Sequence, residues 1–67
     1  MRTFIKIVDV SGPPIEIMVA IETINRFYAT GIDNPGKTII YTDESMYTAD
    51  EAYESFRARL AGRYVEP

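Results

Sequence analysis

Apolar and polar residues alternate along most of this chain, and the alternation is interrupted at a few points rich in glycine and proline. Over residues 3–10, Ile5 and Ile7 fall on one side and Phe4, Val8 and Val10 on the other, with Lys6 interrupting, before the breaker Ser11-Gly12-Pro13-Pro14. β-Branched and aromatic residues at a period of two predict a strand. Both of its faces are largely apolar, which predicts a central strand whose second side is covered by a subunit or a partner.

Residues 15–28 carry two periodicities at once. Ile15, Ile17, Val19 and Ile21 alternate strictly against Glu16, Met18, Ala20 and Glu22, as in a strand, while Ile17, Ala20, Ile21, Ile24 and Tyr28 also fit a helical face. β-Branched side chains lose χ1 freedom in helices, so strands over 15–21 and 23–29 are the preferred reading. The phase of the alternation shifts after Ile21, and a bend or bulge is expected near Glu22.

Asn34-Pro35-Gly36-Lys37 has the fixed φ of proline and the permissive φ of glycine in the order a type II turn requires. A strand over 37–42 follows, then a turn at Asp43-Glu44-Ser45 and a short strand at 46–47. The last element is a helix over about 49–61. Thr48 and Glu51 have the spacing of a reciprocal capping box, acidic residues precede Arg57 and Arg59, and Gly62 can close the helix as a left-handed cap. Ala49, Ala52, Tyr53, Phe56 and Leu60 form its apolar stripe, and Phe56→Asp is expected to unfold the protein. Residues 63–67 read as a tail. The elements together predict one small α+β domain: an antiparallel sheet of four to five strands in a meander, with one C-terminal helix packed on it.

The succession from IETI through KTIIYT to MYTADEAYESF resembles the layout of the FlbD-like small flagellar proteins and, more distantly, the β-rich LytTR-type domains. The resemblance spans about residues 15–60 and is one of layout, without a diagnostic motif. It implies a regulatory protein that binds DNA or a larger regulator; no functional residue is carried over from either family.

Composition narrows the chemistry. The chain has 67 residues and neither cysteine nor histidine, so no disulfide, no usual zinc site, no thiolate nucleophile and no imidazole base is expected. A core of this size contributes only about 3–5 kcal/mol, which makes a homo-oligomer an attractive source of further stability. The formal charge of −3 repels a phosphate backbone, so nucleic acid is not the expected partner. No apolar run is long enough for a membrane span and no signal peptide is recognisable at residues 1–10, which points to a cytoplasmic protein. No catalytic group, metal site or cofactor is expected.

Two sets of residues remain as candidates for binding. Among five tyrosines, Tyr28, Tyr41 and Tyr64 suit a recognition surface, with Arg26 as a charged anchor between them. The carboxylates of Asp43, Glu44, Asp50, Glu51 and Glu54 are the second set, suited to a basic groove on a partner; as a hard-cation site, Asp43, Glu44, Asp50 and Glu51 match no known ligand loop, and a solvated turn beside a helix start is the simpler reading. The leading expectation is a non-enzymatic binding protein, self-associated, that occupies the surface of a partner protein in the manner of phage or mobile-element inhibitors such as anti-CRISPR proteins. A sponge that holds a nucleotide-like ligand at a subunit interface and a FlbD-like regulator are the alternatives.

Overall fold

The computed structural model describes residues 2–31 and 36–62. In chain order the elements are β1 (Phe4–Asp9), β2 (Ile15–Ala20), a single 3-10 turn (Ile21–Thr23), β3 (Ile24–Ala29), β4 (Thr38–Thr42), β5 (Met46–Ala49) and α1 (Tyr53–Leu60). The five strands form one antiparallel sheet in the order β2-β1-β5-β4-β3, and the C-terminal helix completes a small α+β fold. Asn34 and Pro35 of the expected turn, Tyr64 and the tail 63–67 lie outside the described residues.

The stretch with two periodicities is two strands. The 3-10 turn falls at Ile21–Thr23, where the alternation changes phase, and Ile21 is buried there at 1% exposure. Thr23 Oγ1 closes the turn by donating to the Ala20 carbonyl at 2.7 Å.

Neighbouring strands pair at three of the four junctions, but β2 and β3 do not pair and β5 returns to β1. The sheet is therefore not a simple meander, and this has a geometric consequence. Outer strands of a flat five-stranded sheet lie roughly 19 Å apart, whereas a 3-10 turn with the length of the β2–β3 link spans only about 8 Å. The sheet must coil until the start of β3 meets the end of β2. Two long-range bonds fix that corner: the Ile21 amide donates to Thr3 O at 2.8 Å and the Asp43 amide to Thr23 O at 3.0 Å.

Coiling gives the inward faces a common interior. Ile5 and Ile7 of β1, Val19 of β2, Ile24 and Phe27 of β3, Ile40 of β4 and Ala49 of β5 are buried there together with Phe56 and Leu60 of α1. The Phe27 ring meets Phe56 edge-on at 5.2 Å and Tyr53 at 5.4 Å, so the helix is seated on β3 by aromatic contact. Full burial of Phe56 and near-full burial of Leu60 contribute roughly 1.5–3 kcal/mol each.

The helix begins later than the capping-box spacing suggests. Thr48 and Ala49 belong to β5, and α1 starts at Tyr53 behind Ala52, which has no side-chain cap. The reason is competition for one amide. The Thr48 N–H donates to Asp9 Oδ1 at 3.1 Å and the Thr48 carbonyl accepts from Val10 at 2.8 Å, so the ladder takes the groups that a cap would use. Glu51 turns the other way, accepting from Ser55 Oγ at 2.8 Å and from Arg59 Nε at 3.0 Å. At the other end, Gly62 has φ 77°, the left-handed conformation that terminates a helix without a Cβ penalty.

Candidate functional site

A β-bulge in β3 decides which side chains face outward. Between the pairs Ile24↔Thr42 and Arg26↔Tyr41 the strand advances two residues while its neighbour advances one, so Asn25 is the extra residue. Ile24 and Phe27 can then both point into the core although they are three apart, and Arg26 and Tyr28 are directed to the outer face. The register places Arg26 beside Tyr41, Tyr28 beside Ile39, and Tyr41 beside Met46.

These neighbours form an aromatic cluster with a cation above it. The Arg26 guanidinium carbon lies 4.9 Å from the centroid of the Tyr41 ring, and Tyr28 meets Tyr41 edge-on at 6.0 Å and 74°. Both distances are within the range where ring quadrupoles attract a cation and an aromatic edge. Arg26 makes no ion pair among the described residues, so its planar donors stay available. Tyr28 is 49% exposed and Met46 52% exposed, and together with Ile39 they give the cluster an apolar flank. The outer face of β3–β4–β5 thus offers aromatic bodies, phenol hydroxyls and a guanidinium already oriented by the sheet.

Of the aromatic candidates named from the sequence, Tyr28, Tyr41 and Arg26 are brought together here, and Tyr64 lies outside the described residues. Ile39 and Met46 were not singled out, because only strand pairing places them beside the tyrosines. For Ile39 the alternation of residues 38–42, which puts it on one face with Tyr41, is a signal in the sequence; for Met46 there is none, since only the β4–β5 register sets it beside Tyr41.

The acidic candidates are divided. Asp43 and Glu44 sit in the β4–β5 turn, where Thr42 Oγ1 accepts from the amides of Glu44 at 3.3 Å and Ser45 at 3.0 Å. Asp50 lies beyond the far end of β5, a strand length of roughly 13 Å away, and is paired to Lys37 at 3.2 Å. Glu51 is committed to Arg59 and Ser55, while Glu54 stands exposed in the first turn of α1. No group of three or more metal-ligating side chains is assembled among the described residues.

Surface hollows lined by described residues accompany the sheet. One of about 140 Å³ is lined by Arg2, Phe4, Met18, Thr23, Thr42, Glu44 and Tyr47 among others. Another, about 380 Å³, is lined by Ala29, Gly36, Ala52, Tyr53 and Glu54. Neither includes the Arg26–Tyr41 cluster.

Among the described residues, two carboxylates are held below their ordinary range. For Asp9, partial burial pushes the pKa up, but the Thr48 amide, then the Ser11 hydroxyl and amide, outweigh it and lower it. For Glu22, its own backbone amide is the largest cause, followed by the Thr3 amide, which donates to both carboxylate oxygens at 3.2 and 3.1 Å. Both groups stabilise turns and strand junctions, and neither faces the aromatic cluster.

No helix among the described residues is long and apolar enough to cross a membrane. No protein-family model, no curated protein and no solved structure matches this chain.

Proposed function

We propose that this chain is a non-enzymatic binding protein that self-associates and acts by covering the surface of a partner protein, as phage and mobile-element inhibitors do. The observation that supports this reading is the Arg26–Tyr41–Tyr28 cluster on the outer face of the sheet. Arginine and tyrosine are enriched among the residues that dominate interface energetics, tyrosine because it presents a large, rigid contact area with few torsions to freeze and arginine because its planar guanidinium fork presents its donors in a fixed geometry. A cluster fixed by cross-strand pairing has already lost much of that freedom, which lowers the cost of ordering it on binding. The sequence contains no histidine or cysteine and pairs no nucleophile with a base, which favours occupancy over catalysis.

The test is affinity capture with matched surface variants. Arg26→Glu combined with Tyr28→Ala should abolish capture of a specific partner, while Glu54→Lys on the helix should leave it intact. Equal capture by all three proteins would remove the outer face from the interface.

The same cluster favours one second reading, a sponge for a planar anionic ligand such as a nucleotide, since a guanidinium with no ion pair among the described residues, set beside aromatic faces, suits both parts of such a molecule. A nucleotide panel should then raise Tm by mass action. A flat response across the panel would dismiss it.

A further inference from the structure

The free edge of β2 has a hydrogen-bonding pattern that is complementary to itself. β2 is an outer strand, paired with β1 through Ile5↔Val19 and Ile7↔Ile17. The Ile21 amide donates to Thr3 O at 2.8 Å, which sets the phase of the ladder: the odd-numbered residues of β2 direct their N–H and C=O groups to β1. On the other side of β1, Val10 N donates to Thr48 O and Asp50 N to Val8 O, so the even-numbered groups of β1 face β5, as the same phase requires. Glu16, Met18 and Ala20 of β2 therefore direct their backbone groups away from the sheet. Among the described residues the N–H and C=O groups of Glu16 and Met18 have no partner, and the Ala20 carbonyl is occupied by Thr23 Oγ1 at 2.7 Å.

Resting on the self-association proposed above, we infer that a second copy of this chain pairs with the edge of β2, antiparallel, with Ile17 on the two-fold axis. In this register Glu16 and Met18 of one copy exchange both backbone hydrogen bonds with Met18 and Glu16 of the other. Ala20 of one copy lies opposite Pro14 of the other, but Ala20 is only 7% exposed, so Glu16 and Met18 carry the shared ladder. Pro14 has no N–H to offer there, and none is needed, because the Ala20 carbonyl already accepts from Thr23.

Charge and exposure select this register over its neighbours. A slip that sets Glu16 against Glu16 places like charges directly opposite each other, which disfavours pairing, and it leaves the Met18 carbonyl facing a proline. The opposite slip sends the Glu16 amide to the occupied Ala20 carbonyl. With Ile17 on the axis, each Glu16 lies beside a methionine, and Lys6 remains 3.3 Å from Glu16 of its own chain. The pairing also brings the exposed Ile15 and Met18, at 58% and 59%, against the second copy. An unprotected strand edge flanked by such side chains is a template for strand addition.

Light scattering on a size-exclusion column, run as a dilution series, reads the first outcome: a mass twice the 7.6 kDa of one chain is expected at high concentration. Met18→Pro removes a donor at the edge and sets a ring against the incoming strand, yet the Met18 amide has no partner among the described residues, so the variant should keep the wild-type circular dichroism and run as a monomer. A wild-type monomer at every concentration overturns the inference and leaves the outer-face reading to the capture experiment, whose variants do not touch β2. A folded Met18→Pro protein that remains dimeric overturns the edge while leaving self-association standing. If Met18→Pro does not fold, single cysteines decide, because the chain has none of its own. Ile17→Cys should form an intermolecular disulfide on mild oxidation, since residues on the axis of a non-hydrogen-bonded pair approach to about 4.5 Å between Cα atoms, and Ile15→Cys should not. Equal cross-linking at both positions, or none at Ile17, overturns the register.

Discussion

Asp9 Oδ1 accepts the backbone amide of Thr48 at 3.1 Å, joining two residues 39 apart in sequence at the point where β1 meets β5. The same oxygen accepts the Ser11 amide at 3.2 Å and the Ser11 hydroxyl at 2.9 Å, so one carboxylate both shapes the exit of β1 and secures β5 to it. Only the pair Asp9↔Ala49 bridges these two strands by register. Asp9→Ala is expected to cost about 1 kcal/mol, chiefly by taking the acceptor from the part-buried Thr48 amide, since the exposed Ser11 donors turn to water, and Asp9→Asn less, because an amide oxygen still accepts.

The acid response follows from the lowered pKa of Asp9. A carboxyl whose folded pKa lies below its unfolded value of 3.8 contributes stability that is fully present above that value and is lost as pH falls through the folded pKa. Urea midpoints measured from pH 6 down to pH 2 should therefore fall below about pH 4, and Asp9→Asn should flatten that fall. Glu22, also lowered, keeps part of it in place. A wild-type slope in Asp9→Asn would remove Asp9 from the acid response.

Thr38 is fully buried and its hydroxyl donates to the Glu51 carbonyl at 2.8 Å, which ties β4 to the segment that turns into the helix. Thr38→Val keeps shape and branching but removes the donor, and is expected to cost about 1–2 kcal/mol. For a domain of this size each kcal/mol lowers Tm by about 4–8 °C. A calorimetric Tm equal to wild type would mean that the Glu51 carbonyl finds another donor at no cost.

Local order was legible in the sequence and long-range order was not. The phase change after Ile21 marked the 3-10 turn, and the spacing of Phe56 and Leu60 marked the buried face of the helix, because both signals lie within a few residues. The capping-box spacing of Thr48 and Glu51 was overridden by Asp9, whose proximity to Thr48 is set by β1–β5 pairing and leaves no trace near Thr48 in the chain. The return of β5 to β1 was hidden for the same reason. At the candidate site, the residue types Arg26, Tyr28 and Tyr41 stood out, while their adjacency depended on the bulge at Asn25 and on the β3–β4 register. The acidic residues looked like one group because six positions of sequence are close in writing; an intervening strand separates them in space.

Arg59 connects the helix to β1. Its Nη2 donates to Lys6 O at 2.8 Å and to Glu51 Oε1, and its Nε donates to Glu51 Oε2, a two-pronged ion pair that also takes in Ser55. Lys6 O lies on the side of β1 that faces β5 but beyond the residue where their pairing stops, so the arginine fills a gap in the ladder. A double-mutant cycle between Glu51→Gln and Arg59→Gln should give a coupling on the order of 1 kcal/mol, since the side chains are 18% and 40% exposed and solvent screens part of the attraction. The coupling should shrink in 1 M salt. A coupling near zero at low salt would reduce the clasp to a surface contact.

Arg26 and Tyr41 provide the contrast that separates a recognition surface from a structural one. Both lie on the outer face, and their mutual attraction is worth only about 0.5–1 kcal/mol at an exposed site. Arg26→Ala and Tyr41→Leu should each leave the circular dichroism spectrum unchanged and lower Tm by about 2–8 °C, because no buried group loses a partner. Removal of an interface anchor, by contrast, typically weakens binding by 2 kcal/mol or more, about thirtyfold in Kd. The two variants should therefore lose partner binding far out of proportion to their loss of stability. If binding instead declines only in step with Tm, the cluster is a packing feature of the sheet, and the interface lies elsewhere on the molecule.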